Sequence, residues 1–137
     1  MDWKECVEKR LAKKIQVDVA LISSLKETSK NKSISAASLG INEITASSII
    51  TLYYDSLREL LEALALNHSY KIYNHECYTC FLKSVLNEEE IADAYDRVRK
   101  IRNAINYYGR KISVEEVKTT IAGIKNLIEQ CKKLFDK

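Results

Sequence analysis

The amino-acid sequence predicts an all-α fold, an antiparallel up-and-down bundle of about five helices. The chain contains no proline and only three glycines, so little in it interrupts helical structure. Apolar residues recur at intervals of three and four along most of the sequence, which is the spacing of one face of an α-helix. Short polar segments separate these patterns, as is typical of antiparallel neighbours in a bundle.

Length and composition indicate a single globular domain over residues 1–137. Apolar residues make up 46% of the chain and charged residues 30%, and a net charge of +3 permits anionic partners without requiring them. The first residues lack the apolar run of a signal peptide, and the uncharged stretch 44–54 is too short to cross a bilayer. We therefore expect a cytoplasmic protein without a membrane segment, in which all four cysteines are reduced.

The first half of the chain predicts two helices. The first covers residues 2 to about 28, where apolar residues keep helical spacing. A polar joint follows at 29–33, and the next residues form at most a turn of helix before a bend at Gly40. Asn42 is expected to be the N-cap of the second helix, which ends at about Asn67. This helix has the widest apolar stripe, which predicts a central position between neighbouring helices.

The second half predicts three helices after a loop at residues 67–73. Asn74 is expected to cap a short third helix. Asn87 is expected to accept hydrogen bonds from the first turn of a fourth helix, which Gly109 ends in a left-handed C-cap conformation. The segment Ser113–Glu116 has the pattern of a capping box and opens a fifth helix.

The fourth helix carries the most informative charge pattern. Six basic residues occur in the 17 positions 95–111, although the helix keeps an apolar stripe. A row of guanidinium and amide groups on one exposed face can bind phosphate oxygens, whereas a solvated face with ion pairs between neighbouring turns is the alternative. By helical periodicity that row consists of Arg99, Arg102, Asn103, Asn106 and Arg110.

The cysteines and histidines do not indicate a metal or a catalytic centre. Cys77–Cys80 is a CxxC motif with His75 nearby, but a structural zinc site needs four ligands and a second pair is missing. Cys6 and Cys131 lie on apolar stripes, where a free cysteine behaves as a small hydrophobic residue. The glycines form no phosphate-binding loop, which argues against a P-loop hydrolase. We predict no metal and no cofactor, and core packing for the cysteines.

An amphipathic helix that ends in Arg102-Asn103 and aromatic residues, in a small helical domain, resembles the HEPN (higher eukaryotes and prokaryotes nucleotide-binding) family. The resemblance covers most of the chain. Tyr53-Tyr54 is similar to the paired tyrosines often found in the second helix of the family, and the segment 71–75 resembles the loop that precedes the third helix of the family. Arg102-Asn103 matches the start of the family motif Arg-x4-6-His. The motif histidine is absent, because Tyr107, Tyr108 and Gly109 occupy its expected positions.

This resemblance implies a homodimer in which two motif helices line a shared cleft for RNA. In active members the arginine stabilises charge on the scissile phosphate and the histidine transfers a proton, without metal. Several members are toxins that a small nucleotidyltransferase partner neutralises. For this chain the resemblance implies Arg102 and Asn103 as candidate catalytic residues, and an RNA- or nucleotide-binding set of Arg99, Arg102, Asn106, Tyr107, Tyr108 and Arg110.

The missing histidine favours binding over cleavage, because tyrosine, with an ordinary pKa near ~10, is a poor general base at neutral pH. The favoured function is therefore binding of RNA or nucleotide phosphates through the basic helix face. A toxin–antitoxin or nucleotidyltransferase-associated system is the setting that the resemblance implies for this function. Two alternatives stay open. One is an active metal-independent ribonuclease toxin, and the other is a non-catalytic interaction module that pairs with a nucleotidyltransferase.

Overall fold

The computed structural model describes residues 1–136 and is mostly helical, with one two-stranded antiparallel sheet. The all-α prediction is confirmed, whereas the number of helices in the described part is six and not five. The strands are β1 (Ala12–Lys14) and β2 (Tyr70–Ile72). The helices are α1 (Trp3–Glu8), α2 (Val19–Ser38), α3 (Ala46–Asn67), α4 (His75–Ser84), α5 (Glu89–Tyr108) and α6 (Val114–Leu134).

The prediction of one continuous helix over residues 2–28 is wrong. Helix α1 ends at Glu8, and Arg10 adopts a left-handed conformation with φ of 58°. The chain then enters β1, where Ala12 is buried opposite Ile72 of β2. Strand β2 also occupies part of the predicted loop 67–73. The apolar spacing in this region was compatible with a helix, but pairing with a distant segment decides its conformation.

The predicted polar joint at 29–33 is also wrong, because these residues lie in the middle of α2. Asp18 caps this helix by accepting a hydrogen bond from the backbone N–H of Leu21 at 3.0 Å. Ser29 is buried against α3, where its hydroxyl donates to the backbone oxygen of Ser56 at 2.6 Å. A polar sequence therefore stays helical here because its serines face another helix.

Helix α3 holds the central position that its wide apolar stripe predicts, because it contacts α2, α4, α5 and α6. Its start is later than predicted. The Asn42 side chain accepts from the N–H groups of Ile44 and Thr45, in the turn before the helix, and Thr45 occupies the N-cap position. Most of the helix is buried, so it forms the axis of the core.

Three of the four caps predicted for the later helices are present in the structure. Asn74 accepts from the N–H of Glu76 at 2.9 Å, and Ser113 accepts from the N–H of Glu116 at 3.1 Å. Gly109 has the expected left-handed conformation, with φ of 66°. The expectation for Asn87 is wrong: it is itself left-handed, and the N-cap position of α5 falls on the next residue, without a side-chain capping bond.

A disulfide joins α1 to α4 through Cys6 and Cys77. The prediction of four reduced cysteines is therefore wrong for this pair, while Cys80 and Cys131 are free and buried. The pairing of β1 with β2 brings the N-terminal segment beside α4. The two cysteines are 71 positions apart, so the sequence does not reveal that they meet. Among residues 1–136, none of the helices has the length and apolar character needed to cross a membrane.

Candidate functional site

The candidate site lies where α3, α5 and the first turn of α4 meet, around the buried side chain of Tyr54. The Tyr54 hydroxyl lies 3.0 Å from Nδ1 of His75 and 2.9 Å from the hydroxyl of Tyr95. The Tyr95 hydroxyl donates to the backbone oxygen of His75 at 3.1 Å. Three residues from three helices thus form a closed ring of hydrogen bonds, which we call the tyrosine–histidine ring.

The donor and acceptor roles in this ring determine the tautomer of His75. A backbone carbonyl only accepts, so Tyr95 uses its single hydroxyl proton on His75. Tyr54 must then donate to Tyr95, and the remaining contact is an N–H donated by Nδ1 of His75 to the Tyr54 oxygen. In this arrangement Nε2 carries the lone pair of a neutral imidazole, and it can accept a proton or a hydrogen bond.

Burial keeps the groups of the ring neutral. The pKa of His75 is lowered to about 4, mainly by desolvation and then by the positive charges of Arg58, Arg102 and Arg99, in that order. His75 is therefore uncharged at neutral pH. Burial also raises the pKa of Tyr54 and raises that of Tyr95 well above its ordinary value, so both remain phenols.

Arg102 lies beside the ring and has no acidic partner among the described residues 1–136. Its guanidinium carbon lies 5.1 Å from the centroid of the Tyr54 ring and 5.2 Å from that of Tyr107, so the group is held between two aromatic side chains. Its Nη1 donates to the Tyr107 hydroxyl at 2.9 Å and to Oδ1 of Asn103 at 3.2 Å. Its Nε is buried and has no hydrogen-bond partner among residues 1–136.

The neighbouring arginines are neutralised by carboxylates. Two nitrogens of Arg99 donate to Asp96, at 2.8 and 3.0 Å. Arg58 donates to Glu62 at 2.9 Å. These pairs stabilise the surroundings of the ring, whereas Arg102 keeps an uncompensated positive charge within the described part of the chain.

The remaining residues of the predicted binding set lie along and beyond the end of α5. Asn106 is exposed and accepts a hydrogen bond from the Thr51 hydroxyl at 3.3 Å. The side chain of Tyr108 is 83% exposed. Arg110 lies past the helix, after the left-handed turn at Gly109, and forms an ion pair with Glu116.

The predicted row of basic and amide groups is therefore divided in the structure. Arg102, Asn103 and Tyr107 are in direct contact, while Arg99 and Arg110 are each held by a carboxylate elsewhere. Arg110 is separated because the helix ends at Tyr108, and Arg99 because it pairs with Asp96 one turn earlier in the same helix. The contacting group presents a guanidinium, an amide and an aromatic ring together, which is a suitable set for a phosphate and an adjacent base.

The tyrosine–histidine ring was not predicted as a unit. In the sequence, Tyr54 lies among the apolar residues of its helix and His75 directly follows the expected cap Asn74, so neither position by itself indicates a site. The ring joins residues that are 20 to 41 positions apart, and only the packing of α3, α4 and α5 brings them together. The sequence held one signal: α3, α4 and α5 each carry a tyrosine or histidine among their apolar residues. The hydroxyl or ring nitrogen of such a side chain needs a hydrogen-bond partner when it is buried.

This chain matches no protein-family model, no curated protein and no solved structure in comparisons with all three.

Proposed function

We propose that this protein is a HEPN-like domain that binds RNA or nucleotide phosphates at Arg102 and the residues around it. The observation that carries the proposal is the state of Arg102, a guanidinium close to two tyrosine rings that has no carboxylate partner among residues 1–136. Arginine in this state keeps donors for a phosphate, and its fixed plane suits bidentate contact with two phosphate oxygens. An anion at this position would also compensate its partly buried charge.

Exposed aromatic side chains beside Arg102 support a nucleic-acid ligand over a simple anion. The side chain of Tyr107 is 66% exposed while its hydroxyl contacts Arg102, and Tyr108 follows it at the helix end. Exposed aromatic rings next to a cation are the usual means of binding single-stranded nucleic acid, because every base can stack on them. In this proposal Asn103 orients the guanidinium and Asn106 extends the surface along the RNA, while Arg99 and Arg110 contribute by exchanging their carboxylate partners for phosphate.

The wider features implied by the HEPN resemblance belong to the same proposal. These are an antiparallel up-and-down order of the helices, a homodimer with the two α5 helices facing each other, a cytoplasmic location and a small nucleotidyltransferase partner. A light-scattering measurement of the mass in solution tests the dimer. The interaction-module alternative predicts that the nucleotidyltransferase partner, and not RNA, competes for the surface around Arg102.

His75 supports a second candidate function, metal-independent cleavage of RNA. A general base must be unprotonated at the working pH, and the His75 imidazole, whose pKa is lowered to about 4, meets this condition but is a weak base. Tyr54 contacts both the imidazole and the Arg102 guanidinium, so the two groups are one side chain apart. In this function His75 would replace the absent motif histidine, with Arg102 stabilising charge on the phosphate.

Binding is tested with a fluorescein-labelled, mixed-sequence single-stranded RNA and anisotropy measurements at several salt concentrations. We expect the Arg102→Ala variant to bind at least about tenfold more weakly, with a shallower salt dependence. Arg97→Ala is the matched control, because Arg97 lies exposed on the same helix and faces the cavity between α5 and α6. Equal losses in the two variants, with unchanged circular dichroism spectra, would reject the specific role of Arg102.

Cleavage is tested by incubating pure protein with several structured and unstructured RNAs in the presence of a chelator. A ribonuclease requires that both Arg102→Ala and His75→Ala abolish product formation while Arg97→Ala retains it. Absence of product with every RNA rejects the ribonuclease and leaves the binding proposal intact, since the anisotropy measurement is independent of turnover.

A further inference from the structure

A groove runs between α2 and α6 on the side of α3 that faces away from the tyrosine–histidine ring. It consists of two adjoining cavities of about 500 and 420 Å³ that share Ser33, Ile34, Ile128 and Lys132. Both α2 and α6 pack on α3, but they have no extensive contact with each other. The space between them is of the size that ligand sites in proteins occupy.

The floor of the groove is apolar, and its α2 side is lined partly by small side chains. Leu60 of α3 and Ile128 of α6 are buried beneath it. On the α2 side Ser29 and Ser33 line the cavity, and neither is large enough to fill it. Ile34 lies at the junction of the two cavities and is 57% exposed, so much of a large apolar side chain faces the groove uncovered.

Lysines surround this floor. Lys26, Lys30, Lys125 and Lys132 line the groove, against the two carboxylates Glu129 and Asp136. Glu129 is already paired with Lys132 at 3.0 Å. The ammonium group of Lys26 lies 4.0 Å from the centroid of the Phe135 ring, and that of Lys125 lies 5.8 Å from the Tyr53 ring. The lysines therefore hold a positive charge directly above apolar surface.

We propose that this groove binds a long-chain carboxylate, with its alkyl chain on the apolar floor and its carboxylate at the lysines. A neutral apolar molecule would leave the cationic rim unused, and a small anion would leave the floor uncovered. The groove follows α2 from Lys26 to Ala37, which at 1.5 Å per residue is roughly 16 Å, long enough for an extended alkyl chain. Burial of that chain supplies the affinity, and the lysines select the anionic head group.

The test uses dodecanoate below its micelle concentration, with calorimetry and backbone amide chemical shifts as readouts. Acetate and dodecyltrimethylammonium, which has the same chain and the opposite charge, serve as ligand controls. We expect dodecanoate to bind and to shift amides of α2 and α6, acetate to have no effect, and the cationic amphiphile to bind at least tenfold more weakly. Equal affinity for the two amphiphiles rejects the role of the lysines.

Variants test the position of the ligand. Ile34→Glu should reduce dodecanoate affinity at least tenfold and leave the fold intact, because the side chain is mostly exposed. Ile44→Glu is the matched control, since Ile44 is 90% exposed and does not line the groove. Lys132→Glu should weaken binding, and Lys133→Glu, at the neighbouring exposed position, should not. Unchanged affinity in the Ile34→Glu variant overturns the proposal.

Other occupants of the groove give different results. If a second copy of the chain occupies it, Ile34→Glu lowers the mass measured by light scattering without any ligand. If a partner helix occupies it, an acidic amphipathic peptide shifts the amides of α2 and α6 and dodecanoate does not. Either result rejects the long-chain carboxylate as the ligand.

Discussion

The two sides of helix α3 differ in how they are held together. On the side of α4 and α5, large aromatic residues such as Tyr54 and Tyr95 are fully buried and joined by hydrogen bonds. On the side of α2, the contact combines a small buried cluster of Ile22, Ala63 and Leu66 with the hydroxyl groups of serines 29, 33 and 56, which lie 2.6 to 3.1 Å from their partners. The first side buries large aromatic rings, whereas the α2 side buries fewer and smaller apolar residues and adds hydrogen bonds between small polar groups.

This difference explains why the two candidate sites differ in character. The aromatic side fixes Arg102 and His75 in one geometry, which suits a site that must orient a phosphate. The α2 side of α3 leaves a groove because its serines allow the two helices to pack closely but fill little of the space next to their contact. Since local opening follows the regions with the least apolar burial, α2 is expected to separate from the core before α4 or α5.

Loss of the disulfide should produce the largest change on the aromatic side. Cys6→Ser removes a bond that closes a loop across 71 positions, and this loop length corresponds to a loss of about 4 kcal/mol in the free energy of unfolding. Urea unfolding with and without reductant measures it. The wild type and Cys80→Ser should both lose stability in reductant, whereas Cys6→Ser should not respond. A wild-type midpoint that is the same in both conditions contradicts the stabilising role of this bond.

Removal of the hydroxyl at the centre of the ring should have the next largest effect. Tyr54→Phe leaves a buried donor on His75 and a hydroxyl on Tyr95 without their partner, which costs about 1–3 kcal/mol of unfolding free energy. Tyr53→Phe is the matched control, because the adjacent Tyr53 is also buried but its hydroxyl forms no hydrogen bond within residues 1–136. Equal denaturant midpoints for the two variants would show that the ring adds no stability.

On the α2 side of α3 a single hydroxyl should matter less. Ser56→Ala removes the bond to the backbone oxygen of Ser29 at 2.7 Å and the contact with Ser33, for a loss of about 1 kcal/mol. Ser48→Ala, at an exposed position of the same helix, is the control and should be neutral. Hydrogen exchange should show faster exchange in α2 and not in α5 of the Ser56→Ala variant. Uniform acceleration in both helices would mean that α2 does not open separately.

The stability of the protein is also expected to depend on pH through His75. The pKa of His75 is about 4 in the folded protein and near the ordinary 6.5 in the unfolded chain, so the unfolded chain binds more protons between these values. The free energy of unfolding therefore falls as the pH is lowered from 6.5 towards about 4. His75→Asn, which keeps a donor near the position of Nδ1, should lose less stability over this range. Parallel pH curves for the two proteins in urea unfolding would exclude this contribution of His75.

The sequence alone predicted much of the second half of the chain. The caps at Asn74 and Ser113 and the left-handed Gly109 depend on local backbone geometry, and local residue types determine it. The end of α3 and its central position followed from a wide apolar stripe. The first half was less predictable, because β1 exists only through its pairing with β2, and no local pattern encodes a partner about 58 positions away.

The candidate site shows the same limit at the level of single side chains. Arg102 and Asn103 were recognisable from the charge pattern of one helix, and Tyr107 from the family resemblance, because all three lie close together in the sequence. The ring formed by Tyr54, His75 and Tyr95 required three helices to pack at a fixed distance. Sequence determined which residues carry charge and which faces are apolar. Tertiary structure decided which charge remains unpaired and which histidine remains neutral, because burial and partners exist only after the helices have packed.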